Sequence, residues 1–241
     1  MARQCDSKLV GTIRNLILYN HLGDYRMRLK PQSVRRTPAS IKSGLNFGKA
    51  SRLSRQIRTL IAPINPSNSD SRSTNLFTGA LNKFINWNEK QDTDSPILQR
   101  ELPFITGSQF NSQAKLTSIN AIQVAVNPTE SGLPEFRFVP FIPSETLHAS
   151  FYTDHILFKI IFISVNFTDL TTEKIGTAEI KILYNSEIFH PPVIPMPPTV
   201  TSGKLIMMVM SVQYMVNRKN VIEMLKDIKK LPCGIVWAGW V

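Results

Sequence analysis

Acidic residues are almost missing from the first 60 positions. Only Asp6 and Asp24 occur there, against thirteen Lys and Arg. That excess of eleven equals the formal net charge of the whole chain, +11, so residues 61–241 carry basic and acidic groups in balance. A split this sharp points to one end that meets a polyanion and another that is an ordinary folded body. Cysteine is also scarce. Cys5 and Cys233 lie near opposite ends, with no CxxC spacing. Metal and redox motifs are thereby disfavoured, and two free thiols in a reducing compartment are expected. A bridge between them would require the chain ends to meet.

Long apolar runs are lacking too. The most apolar windows, Ile156–Val165 and Leu205–Val216, fall short of the roughly 20 residues a bilayer span needs, and Lys159 interrupts the first. The opening residues, Met1 to Lys8, do not read as a secretory signal, so a cytoplasmic protein is expected and no membrane partner. The sequon Asn166-Phe167-Thr168 carries little weight without a signal. Catalytic signatures are missing: no GxSxG elbow, no GxxxxGK or GxGxxG phosphate loop, no HExxH. His21, His148, His155 and His190 stand apart in sequence. His148 and His155 meet only if a hairpin joins them. The expectation is a non-enzyme with no metal site, no cofactor and no identified small-molecule substrate, although side chains gathered in space escape such a search.

Hydrophobic residues make up 42% of the 241, enough for a sizeable core. Residues 12–30 read as a β-hairpin. The first strand is Thr12–Tyr19, the turn is His21-Leu22-Gly23-Asp24, and the return strand alternates Tyr25, Met27 and Leu29 against Arg26, Arg28 and Lys30. Thr37-Pro38 opens a helix. Phe47, Ala50, Leu53, Ile57, Leu60 and Ile61 lie on one side of it, Lys49, Arg52, Arg55 and Arg58 on the other, and Pro63 ends it. A second amphipathic helix follows the polar run 65–73. Its cap is Ser73 or Thr74, and Leu76, Phe77, Ala80, Leu81, Phe84 and Ile85 form its stripe.

Glu89–Ser95 is polar and marks a boundary between a basic module, 1–90, and a β-rich domain, 91–241. Strands are expected near Leu116–Val126, Glu135–Phe141, Ala149–Phe167, Thr177–Tyr184 and Leu205–Val216, with turn signals between them. Pro outnumbers Gly, 16 to 11, and His190–Pro198 reads as an extended edge. A helix is expected over Asn220–Lys230. The apolar run Ile235–Val241 must pack on the body or on a partner. The fold class expected is α+β: an N-terminal β-hairpin and two amphipathic helices followed by an antiparallel β-sandwich.

The residues Gly11-Thr12-Ile13-Arg14-Asn15-Leu16-Ile17-Leu18-Tyr19, then Gly23, Tyr25, Arg28, Lys30-Pro31, Val34, Thr37 and Phe47-Gly48-Lys49-Ala50-Ser51 together resemble a family of Bacteroidota proteins. It is known as domain-of-unknown-function family 6266. The resemblance covers about residues 8–60, weakens over the β-rich half and lapses after about Tyr214. It implies that a hairpin and basic helix ahead of a β-rich body recur together. No activity, ligand or catalytic residue comes with it.

The basic segment is the functional signal. Arg26, Arg28, Lys30, Arg35, Arg36, Lys49, Arg52 and Arg55 are the residues expected to contact a polyanion. Neutralised phosphates release counterions, so a few cations suffice for sequence-blind affinity, and Tyr19 and Tyr25 can add stacking. Three readings stay open: nucleic-acid contact, clamping of acidic groups in an assembly such as a homo-oligomer, and plain solubility. A structural or assembly protein, by architectural analogy with capsid-like subunits, stands beside a non-specific nucleic-acid binder. A sugar-binding adhesin is disfavoured by the missing signal.

Overall fold

The computed structural model describes residues 3–5, 8–21, 23–33, 36–65, 70–89, 102, 104–116, 124–128, 134–147, 149, 152–197, 203–218, 221–225, 227 and 231–240. It is an α+β structure, 26% helix and 42% strand, and its sheets are antiparallel. Contacts divide the chain into two compact units, Met1–Ser43 and Gly44–Val241.

The first unit holds a four-stranded sheet in sequential order: β1 (Arg3–Cys5), β2 (Lys8–Ile13), β3 (Leu16–His21) and β4 (Asp24–Leu29). The expected hairpin is present as β3–β4, with Gly23 at φ 91° in its turn and its N–H donating to Asn20 Oδ1 at 2.9 Å. The expected first strand, Thr12–Tyr19, is not continuous. It reverses at Arg14-Asn15, where Arg14 takes a left-handed φ of 49°. Thr12 and Ile13 therefore belong to β2 and pair back with Ile17 and Leu16. Branched residues flank this polar pair on both sides, which hides the turn from a propensity reading.

Helix α1 (Pro38–Ile61) begins in the first unit and continues into the second. Thr37 Oγ1 accepts from the Ser40 N–H at 3.2 Å, and Pro38 takes the first helical position. Ala50, Leu53, Ile57 and Ile61 are buried as the spacing predicts, while Phe47 is exposed. Helix α2 (Ser71–Asn88) is capped by Asp70 rather than by Ser73 or Thr74. The carboxylate reaches the N–H groups of Arg72 and Ser73 at 3.0 and 3.1 Å, which a residue inside the first turn cannot do. Phe77, Leu81, Phe84 and Ile85 are buried, but Leu76 is 67% exposed and leaves the stripe. The two helices lock through a buried Thr78–Ser54 hydroxyl contact of 2.9 Å and through Asn46, whose amide donates to Asn86 Oδ1 and Glu89 Oε2 at 2.9 and 3.1 Å.

The remaining elements are β5 (Val124–Pro128), β6 (Pro134–Phe138), the single turn α3 (Pro143–Thr146), β7 (His155–Asn166), β8 (Thr171–Leu183), β9 (Ile194–Pro195), β10 (Leu205–Arg218), β11 (Val221–Met224) and β12 (Cys233–Trp240). Strands β11, β10, β7 and β8 form one sheet in that order, with β12 also paired to β10, and the sheet curls into a half-barrel. Strands β5, β6 and β9 form a smaller sheet.

Alternation along β7 and β10 sorts their side chains onto two faces. Ile161, Ile163, Val165, Leu205, Met207 and Val209 share a core with α1 and α2. Ile156, Phe158, Ile160, Phe162, Ile206, Met208, Met210 and Val212 share another with Phe136 of β6 and Ile194 of β9. Phe136 meets Phe162 and Trp237 at ring-centroid distances of 5.6 and 5.3 Å.

Two expectations about the tail are corrected or met. Val221–Met224 is a strand, not the start of a helix: it folds back on β10 with Arg218 opposite Val221. The rest of the expected helix, except Leu225 and Asp227, lies outside the described residues. The apolar run near the end packs on the body as β12, whose Cys233, Ile235 and Ala238 are buried. A bulge at Val236, between the Met208–Trp237 and Val209–Ile235 pairs, turns Trp237 into the second core. The outer edge of β12 is covered by the segment 102–110, through Leu102 N–H to Ala238 O at 3.0 Å and Phe110 N–H to Cys233 O at 2.7 Å. Cys233 is a free, buried thiol, so no bridge joins it to Cys5.

Gly234 has no room for a methyl group. A Cβ there would lie 2.9 Å from Ser108 O. We predict that Gly234→Ala lowers the unfolding free energy by about 1–3 kcal/mol, because a backbone carbonyl must move. An unchanged urea midpoint would show that the segment 102–110 yields freely.

Candidate functional site

The expected cations fall into two groups. Arg26 and Arg28 project from β4, with Lys30 just beyond it, in the first unit. Lys49, Arg52 and Arg55 occupy the exposed side of α1, in the second. Arg36 is exposed ahead of α1, and Arg35 lies outside the described residues. All the described members are exposed, and two are engaged in ion pairs. Arg26 Nη2 stands 3.3 Å from Asp24 Oδ2, and Lys49 Nζ is 3.3 Å from Glu89 Oε1. Both contacts are solvent-facing, where such pairs contribute about 0–1 kcal/mol and release readily to a stronger anion. Among the described residues, Arg28, Lys30, Arg36, Arg52 and Arg55 form no ion pair with a carboxylate.

The sheet of the first unit has two unlike faces. Residues opposite one another in an antiparallel pair share a face. Tyr19 and Arg26, and Ile17 and Arg28, therefore lie on one side. On the other lie Leu18 and Met27, and Leu16 and Leu29, continued on β2 by Leu9 and Ile13. Arg28 sits over the Tyr19 ring, 5.7 Å from its centroid. Such stacking contributes about 0.5–1 kcal/mol at an exposed site and holds the guanidinium fork in one place. On the opposite face Met27 is 64% and Leu29 68% exposed, while Leu16 and Leu18 are half-buried.

No family model, curated protein or solved structure matches the chain. What the protein does must therefore be argued from its own surfaces. Among the described residues, no group of three or more His, Cys, Asp and Glu gathers as a metal site would require. His148 lies outside the described residues, His155 opens β7 and His190 is exposed.

One feature of the second unit escaped the sequence reading. The first turn of α2 and the segment 104–115 enclose a cleft of about 500 Å³. Arg72 and Lys115 bring positive charge to it, Ser73, Thr106, Ser108, Gln109 and Ser112 bring hydrogen-bonding groups, and Leu76, Phe77 and Phe104 bring apolar surface. The only signal was the mostly polar run Thr106–Ser112, broken by Phe110, which is also what an ordinary loop looks like.

Behind this lining Asp70 joins the two walls. Its carboxylate accepts from Ser73 Oγ at 2.8 Å and from the Ser112 N–H at 2.5 Å, besides capping α2. Partial burial pushes its pKa up, but the hydrogen bonds from Ser112 and Ser73 together more than reverse this and hold it well below the carboxylate range. A depressed folded-state pKa means stability that is present above the ordinary value of 3.8 and is lost as pH falls below it. We predict that Asp70→Ala costs about 0.5–2 kcal/mol at neutral pH, the range for a lost N-cap. The gap from wild type should narrow in urea melts below pH 3.8. A gap independent of pH would refute this role.

Proposed function

We propose that the protein is a non-enzymatic assembly protein whose N-terminal sheet bonds a negatively charged surface with its cationic face. The carrying observation is the two-faced sheet of Met1–Ser43. Arg26 and Arg28 occupy one side, Leu16, Leu18, Met27 and Leu29 the other, and β4 is exposed throughout. A sheet with one apolar face gains most by burying it against another layer. A second copy is the occupant that fits, because face-to-face pairing of two identical sheets is self-complementary. It also turns both cationic faces outward, away from each other. A lipid surface fits worse, since membrane-bound elements carry their cations around the apolar face and not behind it.

The trunk then serves as the rigid mount, read as sandwich-like where the three-stranded sheet faces the half-barrel across Phe136, Phe162 and Trp237. A reducing, cytoplasmic setting agrees with the buried free thiol of Cys233. No helix among the described residues is long and apolar enough to cross a membrane.

The second reading, a non-specific nucleic-acid binder, is favoured by the Arg28–Tyr19 stack and by the row Lys49, Arg52 and Arg55. Arginine and aromatic side chains together serve backbone and base contacts alike.

Two measurements follow. The solution mass should exceed the single-chain 27.2 kDa, and Met27→Glu should return it to that value. A monomer before mutation removes the assembly reading. Binding to a single-stranded oligonucleotide should weaken linearly with log salt, and joint replacement of Arg26 and Arg28 by Ala should reduce that slope by about 1–2. A discrete oligomer with no salt-sensitive oligonucleotide binding leaves an acidic protein surface as the partner.

A further inference from the structure

We infer that the cleft between α2 and the segment 104–115 is a binding site for a small organic phosphate: a phosphate head on a compact aromatic or aliphatic body. Several independent features of the lining converge on that chemistry. Arg72 and Lys115 are the charged residues of the cleft wall, and among the described residues no acid lines it. The carboxylate of Asp70, behind the wall, is already bound by Ser73 and Ser112. An anion is therefore the favoured charge.

The donors favour phosphate over carboxylate. A guanidinium fork matches two phosphate oxygens at once, and the hydroxyls of Thr106 and Ser108 line the same cleft for the further oxygens that a carboxylate lacks. Thr106 carries the most telling atom. Its Oγ1 is buried and has no hydrogen-bond partner among the described residues. A buried hydroxyl left unsatisfied is destabilising, and native structures rarely keep one without a use.

The body of the ligand is read from the other wall. Leu76 is 67% exposed although it sits on an otherwise well-packed helix, and Phe104 is 40% exposed while its ring stands 6.3 Å from Trp87. Apolar surface held open beside a cluster of donors is the usual make-up of a small-molecule site, and about 500 Å³ lies within the usual range of such sites. Free inorganic phosphate would leave Leu76 and Phe104 bare. The lining residues all belong to the second unit, whereas β4 belongs to the first.

Phenyl phosphate titrated into the full-length protein, followed by calorimetry or by protein NMR shifts, tests this. Saturable binding below about 1 mM is expected, with inorganic phosphate and benzoate each weaker by about tenfold. Arg72→Gln should weaken binding about tenfold or more. Thr106→Val should weaken it several-fold while leaving the melting temperature of the ligand-free protein unchanged or raised, because the valine removes an unsatisfied group. Arg28→Ala should bind phenyl phosphate as wild type does, even where oligonucleotide binding suffers. The inference is overturned if phenyl phosphate fails to saturate, if Arg72→Gln and Thr106→Val bind it as wild type does, if benzoate binds as tightly, or if Arg28→Ala abolishes binding.

Discussion

Burial of β7 and β10 on both faces is the constraint on which the rest of the trunk depends. Each strand commits alternate side chains to two different cores, one shared with α1 and α2, the other with β6 and β9. A strand covered on both sides reads as a nearly continuous apolar run, and Ile160–Val165 and Leu205–Met210 are such runs. Loss of either cover would expose a full row of Ile, Met, Phe or Val to water, so helices and small sheet are both required. The last strand completes the arrangement. β12 pairs with the first half of β10, and its bulge lets Ile235 serve one core and Trp237 the other.

The N-terminal unit obeys the opposite rule. Its strands are short, at most six residues, and the side chains of β4 meet solvent on both faces. Two-sided burial covers both faces of the central strands of the trunk. The sheet of the first unit has an apolar face on which Met27 and Leu29 are exposed and a cationic face bearing Arg26 and Arg28. Part of the uneven charge along the chain, Arg26 and Arg28 among it, thus falls on the segment with the least burial. That coincidence is what supports a contact-making role for it.

Much of this was legible in the residues themselves. Ile156–Val165 and Leu205–Val216 announced the central strands through branched, apolar composition, and helical spacing placed Leu53, Ile57, Leu81 and Phe84 in the core. Other points lacked a local signal. Arg14-Asn15 is a tight turn because one residue accepts a left-handed φ, which no strand-like neighbour reveals. Asp70, Ser73 and Thr74 are all good capping residues, and the helix start at Ser71 together with the contact to Ser112 from a distant segment favours the first. Val221, Ile222, Leu225 and Ile228 suit a helix by spacing, yet the partner strand β10 draws the first two into a sheet. The expected contact cations are exposed where described, and their division between two compact units follows from tertiary packing. The cleft was invisible because Arg72 and Lys115 are far apart in sequence and each alone is an ordinary surface charge.

Hydrogen exchange of the intact chain reads the contrast between the two units most directly. In dilute, ligand-free protein the amides of β7 and β10 should exchange slowest, and those of β3 and β4 faster by orders of magnitude. Raising the protein concentration or adding a polyanion should slow β3 and β4 selectively. Equal protection of β4 and β10 in the isolated monomer, unchanged by either addition, would contradict the view that the N-terminal sheet is completed by a partner.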